Sequence, residues 1–209
     1  SCDGGGCCGN STWCANQTGG SPVQDGVRGK RSDESGDAAL LRAFIEGERS
    51  ALSTLAGRHE RGMLGMARGL LGGDVERARD AVQEAWVRVI KHAGTYRGEA
   101  SVKTWLYRIL INVCLNERGQ KRVRLVGATV VNAESPSQAV EESEFAGRVR
   151  RLVAELPEDR RVIVLLCYHE KMTHEEAAET LGIPVGTLKS RLHGALTSLR
   201  ASLHQEAGA

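Results

Sequence analysis

THEEAAETLGIPVGTLKSRLHGALTSLRASL, residues 173–203, reads as a helix, a sharp turn and a longer helix. Thr173 followed by Glu176 has the spacing of a capping box, in which each side chain satisfies a backbone donor at the helix start. Gly182 can take the left-handed conformation that closes this helix. Pro184 suits the first turn of the next one, where its missing N–H is not needed. Leu188, Leu192, Ala195, Leu196, Leu199 and Leu203 then recur on one side, the stripe of a packed helix. Roughly opposite, at about 100° per residue, fall Gly186, Ser190, Gly194 and Thr197, flanked by Thr187, Lys189, Arg191 and His193. Small residues let a helix approach another surface closely, while basic and hydroxyl groups suit phosphates and base edges in a major groove. Lys189, Arg191 and Arg200 are the charges between Pro184 and Gln205, with no carboxylate among them. The expectation is a helix-turn-helix whose second helix reads duplex DNA. An ordinary antiparallel helix pair is the plainer competing reading.

Just upstream, Leu156-Pro157-Glu158-Asp159 restarts the chain with proline and carboxylates suited to a first helical turn. RRVIVLLCYHE is β-branched enough for a strand, but the start signal and the neighbouring helices favour a helix. Phe145, Val149, Leu152 and Leu156 mark another helix before it. Residues 123–144 are polar, contain Pro136 and the acidic run Glu141-Glu142-Ser143-Glu144, and lack periodicity, so they read as an interdomain linker.

Residues 37–122 are expected to form the other domain. Leu40, Leu41, Phe44 and Ile45, then Leu52, Leu55, Met63, Leu64, Met66, Leu70 and Leu71, keep helical spacing. Gly47, Gly57 and Gly62 weaken this region and soften its boundaries. Gly72-Gly73 ends the second helix, and Asp74 is the expected N-cap of a third. That helix points Val75, Ala78, Val82, Ala85, Trp86 and Val89 toward a core. Asp80, Gln83, Glu84 and Arg88 occupy another face, which is either simply solvated or an acceptor patch for a basic partner. After the loop Tyr96-Arg97-Gly98-Glu99-Ala100, Ser101 caps a fourth helix, VKTWLYRILINVCLNERGQKR. It interleaves Trp105 and Tyr107 with Lys103, Arg108, Arg118, Lys121 and Arg122, against the single carboxylate Glu117. Two readings stand side by side. Rings and cations suit unstacked bases and a single-stranded backbone. Alternatively Trp105, Leu106, Ile109 and Val113 enter the core and leave a basic rim.

Net charge is only +2 over 209 residues, so any nucleic-acid affinity must come from local patches. No apolar run approaches the roughly 20 residues of a membrane span, and no charged-then-apolar leader opens the sequence; a cytoplasmic protein with no membrane partner is expected. Residues 1–36 are rich in Gly, Ser, Asn, Gln and Asp and read as a disordered tail; residues 204–209 are a short tail at the other end. Cys2, Cys7, Cys8 and Cys14 are the candidate metal ligands, but they lack paired C-x-x-C spacing and a neighbouring histidine. No metal or other cofactor is expected, and Cys114 and Cys167 read as small buried apolar residues. No carboxylate cluster or activated nucleophile stands out, and an enzyme is not expected.

The blocks DAVQEAWVRV, YRGEASVKTWLYRILINVCLNERGQKR and LPEDRRVIVLLCYHEKMTHEEAAETLGIPVGTLKSRLHGAL resemble regions two and four of bacterial sigma factors, in the compact extracytoplasmic-function group of the sigma-70 family. The resemblance covers residues 37–122 and 145–203 and implies an all-α fold of two small helical domains, region 2 and the region 4 helix-turn-helix, joined by a flexible linker. It implies that the protein binds core RNA polymerase and directs promoter-specific initiation, reading −10 and −35 elements and aiding strand opening. Asp80, Gln83 and Glu84, with Arg88 beside them, match the element that docks on the clamp helices of the largest polymerase subunit. Tyr96, Arg97, Gly98, Ser101, Lys103, Trp105, Arg108, Asn112, Arg118 and Arg122 fall in the part that opens and reads the −10 element. There the Gly98–Ser101 loop would help hold a flipped base, with Asn112 nearby as a reader. Leu106 stands where housekeeping members carry an aromatic residue, which implies a less complete melting wedge and stringent promoter choice. Thr173, Gly186, Thr187, Lys189, Ser190, Arg191 and His193 would meet the −35 duplex. With few long base-reading side chains there, Lys189, Ser190 and Arg191 are expected to act through phosphates and DNA shape. An anti-sigma partner is left open. The alternative is a stand-alone helix-turn-helix regulator, which would need neither the DAVQEAW helix nor the aromatic-basic helix.

Overall fold

The computed structural model describes residues 32–124 and 144–207, the side chains of 32–35, 117–124, 144, 206 and 207 excepted. All regular elements among the described residues are helical. The candidate ligands Cys2, Cys7, Cys8 and Cys14, nearly all of the expected linker, and the side chains of Arg118 and Arg122 lie outside the described set.

Helices α1 (Ser32–Ile45), α2 (Arg49–Leu70), α3 (Val75–His92) and α4 (Val102–Arg124) make up the N-terminal group. α1 begins inside the stretch read from composition as a tail. A long-range anchor holds its first turns: buried Asp37 pairs with Arg58 at 2.8 Å and His59 at 2.6 Å on α2. Asp74 caps α3 by accepting from the Arg77 N–H at 3.1 Å. Ser101 does the same for α4, its hydroxyl accepting from Thr104 N–H at 3.0 Å. α2 runs unbroken through Gly57, Gly62, Gly65 and Gly69 despite a cost of about 1 kcal/mol per interior glycine; the reason lies in what packs against it.

The C-terminal group holds α5 (Glu144–Glu155), α6 (Glu158–Val164), α7 (His174–Leu181) and α8 (Val185–Ala207). α6 opens after Pro157, with Glu158 and Asp159 in its first turn. It widens into a turn over Leu165–His169, where the Glu170 N–H reaches back five residues to the Leu165 carbonyl at 3.1 Å. The β-branched run is therefore helical, as its start signal implied. Lys171, at φ 54°, is a left-handed non-glycine residue that redirects the chain toward α7.

Thr173 and Glu176 form the full capping box, at 3.2 Å and 2.7 Å. Gly182 ends α7 at φ 64°. Leu188, Leu192 and Ala195 of α8 are buried against the rest of the group.

Two apolar clusters hold the molecule. One joins Leu41, Leu55, Val89, Ala93, Val102 and Leu106 and lies wholly within the N-terminal group. The other joins Met63, Met66 and Leu70 of α2 and Tyr107, Leu110 and Cys114 of α4 to Ile163, Leu166, Leu181 and Leu188 from beyond residue 144. Both helical groups expected from the sequence are present, and they share this second core.

Candidate functional site

α3 presents the first candidate surface. A helix that buries Ala78, Ala81, Val82, Ala85 and Val89 must turn Asp80, Gln83 and Glu84 outward, and all three are exposed. Arg88 bonds Glu84 at 2.8 Å one turn away, orienting its carboxylate. Val87 and Ile90 share the outer side and are 38% and 50% exposed, a large apolar exposure for so short a stretch. The patch is therefore mixed acceptor and apolar, a character that charge reading alone missed.

The second lies on the loop before α4 and along its first turns. Gly98 takes φ 74°, a left-handed bend that a side chain would strain, and Arg97, Gly98 and Asn112 are exposed. Tyr96 donates to the Ala100 carbonyl at 2.6 Å and its ring meets Trp105 at 5.4 Å between centroids, so the two rings brace the loop. Ser101 spends its hydroxyl on capping, donating to Thr104 Oγ1 at 2.9 Å as well as accepting from its backbone. Neither reading of α4 holds alone. Leu106 and Val113 are core, Trp105 and Ile109 are half-buried, and Tyr107 is fully buried rather than offered to bases.

Two of the expected cations on this surface meet the C-terminal group. Lys103 Nζ donates to the Glu170 carbonyl at 2.8 Å and lies 4.0 Å from its carboxylate. Arg108 donates to the Glu179 carbonyl at 2.6 Å and to that of Thr180 at 3.4 Å, at the end of α7. Tyr107 donates its hydroxyl to the buried Glu170 carboxylate, which also bonds His169 Nδ1 at 2.6 Å.

Burial pushes the Tyr107 phenol far above its ordinary range, and the adjacent Glu170 charge and hydrogen bond push the same way. Burial also pushes Glu170 upward. Its bonds to His169 and Tyr107 and the charges of His169 and Lys103 outweigh that, holding the carboxyl below its usual range. The hydrogen bond to Glu170 raises His169 against the opposing effect of its own partial burial.

Facing this cluster, α2 carries glycines at 62, 65 and 69, one helix side. A Cβ on Gly62 would stand 2.5 Å from the Tyr107 hydroxyl, one on Gly65 2.5 Å from Nε2 at the edge of the His169 ring, and one on Gly69 2.8 Å from Leu165. The spacing of these glycines was the available signal for this seam. The sequence reading took up only Gly62 of the three, as a weak point in a helix.

The third surface is the outer side of α8. Gly186, Lys189, Ser190 and His193 are exposed, while Thr187 and Arg191 are partly covered, Arg191 lying 3.8 Å from Asp159. Thr173 is exposed at the start of α7, with its hydroxyl committed to the cap. Gly194 departs from the expected free face: the Arg160 guanidinium of α6 lies 3.6 Å from where its Cβ would be.

Comparison with known proteins agrees with this architecture. The model of sigma-70 region 2 matches residues 55–124, and that of sigma-70 region 4 matches residues 146–199. The chain is 32% identical over 158 residues to the ECF RNA polymerase sigma factor SigM of Mycobacterium tuberculosis, covering 76% of this chain and 80% of that protein. It is 28% identical over 181 residues to the RNA polymerase sigma-H factor of Pseudomonas aeruginosa, covering 80% and 93%.

In fold it is similar to CnrH, solved in complex with the cytosolic domain of CnrY (TM-score 0.64, 23% identity, 81% of this chain and 98% of that one). It is likewise similar to RpoE of Bartonella quintana, solved with the anti-sigma factor NepR (TM-score 0.62, 21% identity, 73% and 96%). A chain with region 2 and region 4 in this order, helical throughout the regular elements of its described residues, is a transcription initiation factor that binds RNA polymerase and directs it to promoters. The chain belongs to the sigma-70 family, in its extracytoplasmic-function group.

Proposed function

We propose that the three surfaces divide the work of initiation. Asp80, Gln83, Glu84 and Arg88 dock on the clamp helices of the largest polymerase subunit. Tyr96, Arg97, Gly98, Ser101, Lys103, Trp105, Arg108 and Asn112, with Arg118 and Arg122 further along α4, hold and read the single-stranded −10 element. Thr173, Gly186, Thr187, Lys189, Ser190, Arg191 and His193 sit on the −35 duplex. The observation that carries this reading is the exposed α3 face. Acceptors and apolar side chains left uncovered together on a helix whose opposite face is buried suit a protein partner; a stand-alone regulator of duplex DNA has no use for them. The factor acts in the cytoplasm, and a partner analogous to the anti-sigma factor seen with RpoE controls it. In this role the chain carries out no covalent step of its own.

The test is gel filtration of the purified chain with core polymerase, followed by transcription from candidate promoters. Wild type should co-elute and initiate. Asp80→Ala combined with Glu84→Ala should weaken the complex about tenfold or more, the loss of two interfacial charge contacts. A wild-type chain that forms no complex with core polymerase would refute the proposal.

A further inference from the structure

The cations of α8 are unevenly placed. At about 100° per residue, Lys189, His193 and Arg200 fall on one flank of its outer face, and Thr187, Arg191 and Gly194 fall on the other. Arg191 is the charge of that second flank, and the Asp159 carboxylate of α6 lies 3.8 Å from it. Thr197 and Ser198 add no donor nearby. Their hydroxyls donate to the His193 and Gly194 carbonyls of their own helix, at 2.9 Å and 3.0 Å. A helix seated in a major groove nevertheless runs between two phosphate backbones.

A cation reaches the second flank from another element. α6 lays Arg160 across Gly194, the guanidinium carbon 3.6 Å and its two terminal nitrogens 3.7 Å and 3.8 Å from where a Cβ would stand. A long side chain at position 194 would take that space. Arg160 is partly buried, and among the described residues no hydrogen bond or ion pair holds its guanidinium. An arginine held against a helix with its planar fork unpaired is set for a bidentate contact with an anion.

We propose that Arg160 is a phosphate contact of the −35 duplex. It supplies from α6 the cation that the Gly194 flank of α8 lacks, and meets one backbone of the groove while Lys189 meets the other. This rests on the reading that α8 faces the −35 duplex. A contact to phosphate adds affinity and fixes register without choosing a sequence.

The test is fluorescence anisotropy of the full chain with a labelled mixed-sequence duplex of about two helical turns, followed across a salt series. Arg160→Gln keeps a stem over Gly194 and removes the charge. It should weaken binding about fivefold or more in about 0.1 M salt and flatten the slope of log affinity against log salt by about one unit. Adding Gly194→Arg to that variant returns a cation to the same place from α8 itself and should restore the slope. Lys189→Ala in the same assay reports on α8 independently.

If Lys189→Ala flattens the slope while Arg160→Gln keeps wild-type slope and affinity, the proposal is overturned: Arg160 only packs, and α8 stays on the duplex. A slope lost in Arg160→Gln and not regained with Gly194→Arg also overturns it, because the loss then follows from disturbed packing rather than missing charge. If neither single substitution changes binding, or the wild-type chain does not bind, the −35 assignment of α8 falls and the role of Arg160 falls with it.

Discussion

Glu170 is a carboxylate placed where burial opposes it and three neighbours support it, so that it and His169 together tie the stability of the fold to pH. Its carboxyl lies below the ordinary range, so its contribution is present above that range and fades as pH falls through the depressed value. His169 lies above the ordinary imidazole range, so its contribution is complete below that range and fades as pH rises through the raised value. Both are fully present between about pH 4.5 and 6.5, and the alkaline limb belongs to His169. Thermal melts across pH should show stability declining above that window in wild type, and His169→Gln should remove much of the alkaline decline. The amplitude is small because the imidazole is about half exposed and solvent screens it. A decline unchanged in His169→Gln would assign it to other groups.

At the scale of elements, the chain divides into what local chemistry dictates and what only packing dictates. The capping box of Thr173 and Glu176, the left-handed Gly182, the Asp74 and Ser101 caps and the Gly72-Gly73 stop were all legible, because each concerns residues within one turn of one another. Thr173→Ala should therefore destabilise the C-terminal group by about 1 kcal/mol, read as a shifted denaturation midpoint with an unchanged slope. A midpoint unmoved by the substitution would mean that the box adds nothing to α7.

The seam was not legible. Composition told that α2 is rich in glycine, but not that α6 and its widened turn would come to lie against those glycines. Tyr107 illustrates the gap: beside Lys103 and Arg108 in sequence it looks like a base-stacking ring, and only its burial against Glu170 reveals a structural anchor. Val87 and Ile90 were left out of the core-facing set of α3 and given no part in the patch, and only their exposure beside the acceptors shows that they share it.

Across the whole molecule, the two surfaces proposed to face DNA differ in how they are held. On α4, Lys103 and Arg108 are bonded to the protein's own backbone, whereas Lys189, Ser190 and His193 on α8 are exposed. Lys189→Ala should therefore weaken duplex binding to a similar extent for every sequence and flatten the dependence of log affinity on log salt by about one unit. A changed preference among sequences would instead make Lys189 a base reader.

The acceptors that hold Arg108 are carbonyl oxygens of Glu179 and Thr180, supplied by the peptide chain whatever side chains those positions carry. Side chains on the outer faces of α7 and α8 can therefore be exchanged without loosening that contact. Descendants of this gene are free to vary those side chains while inheriting the same contact.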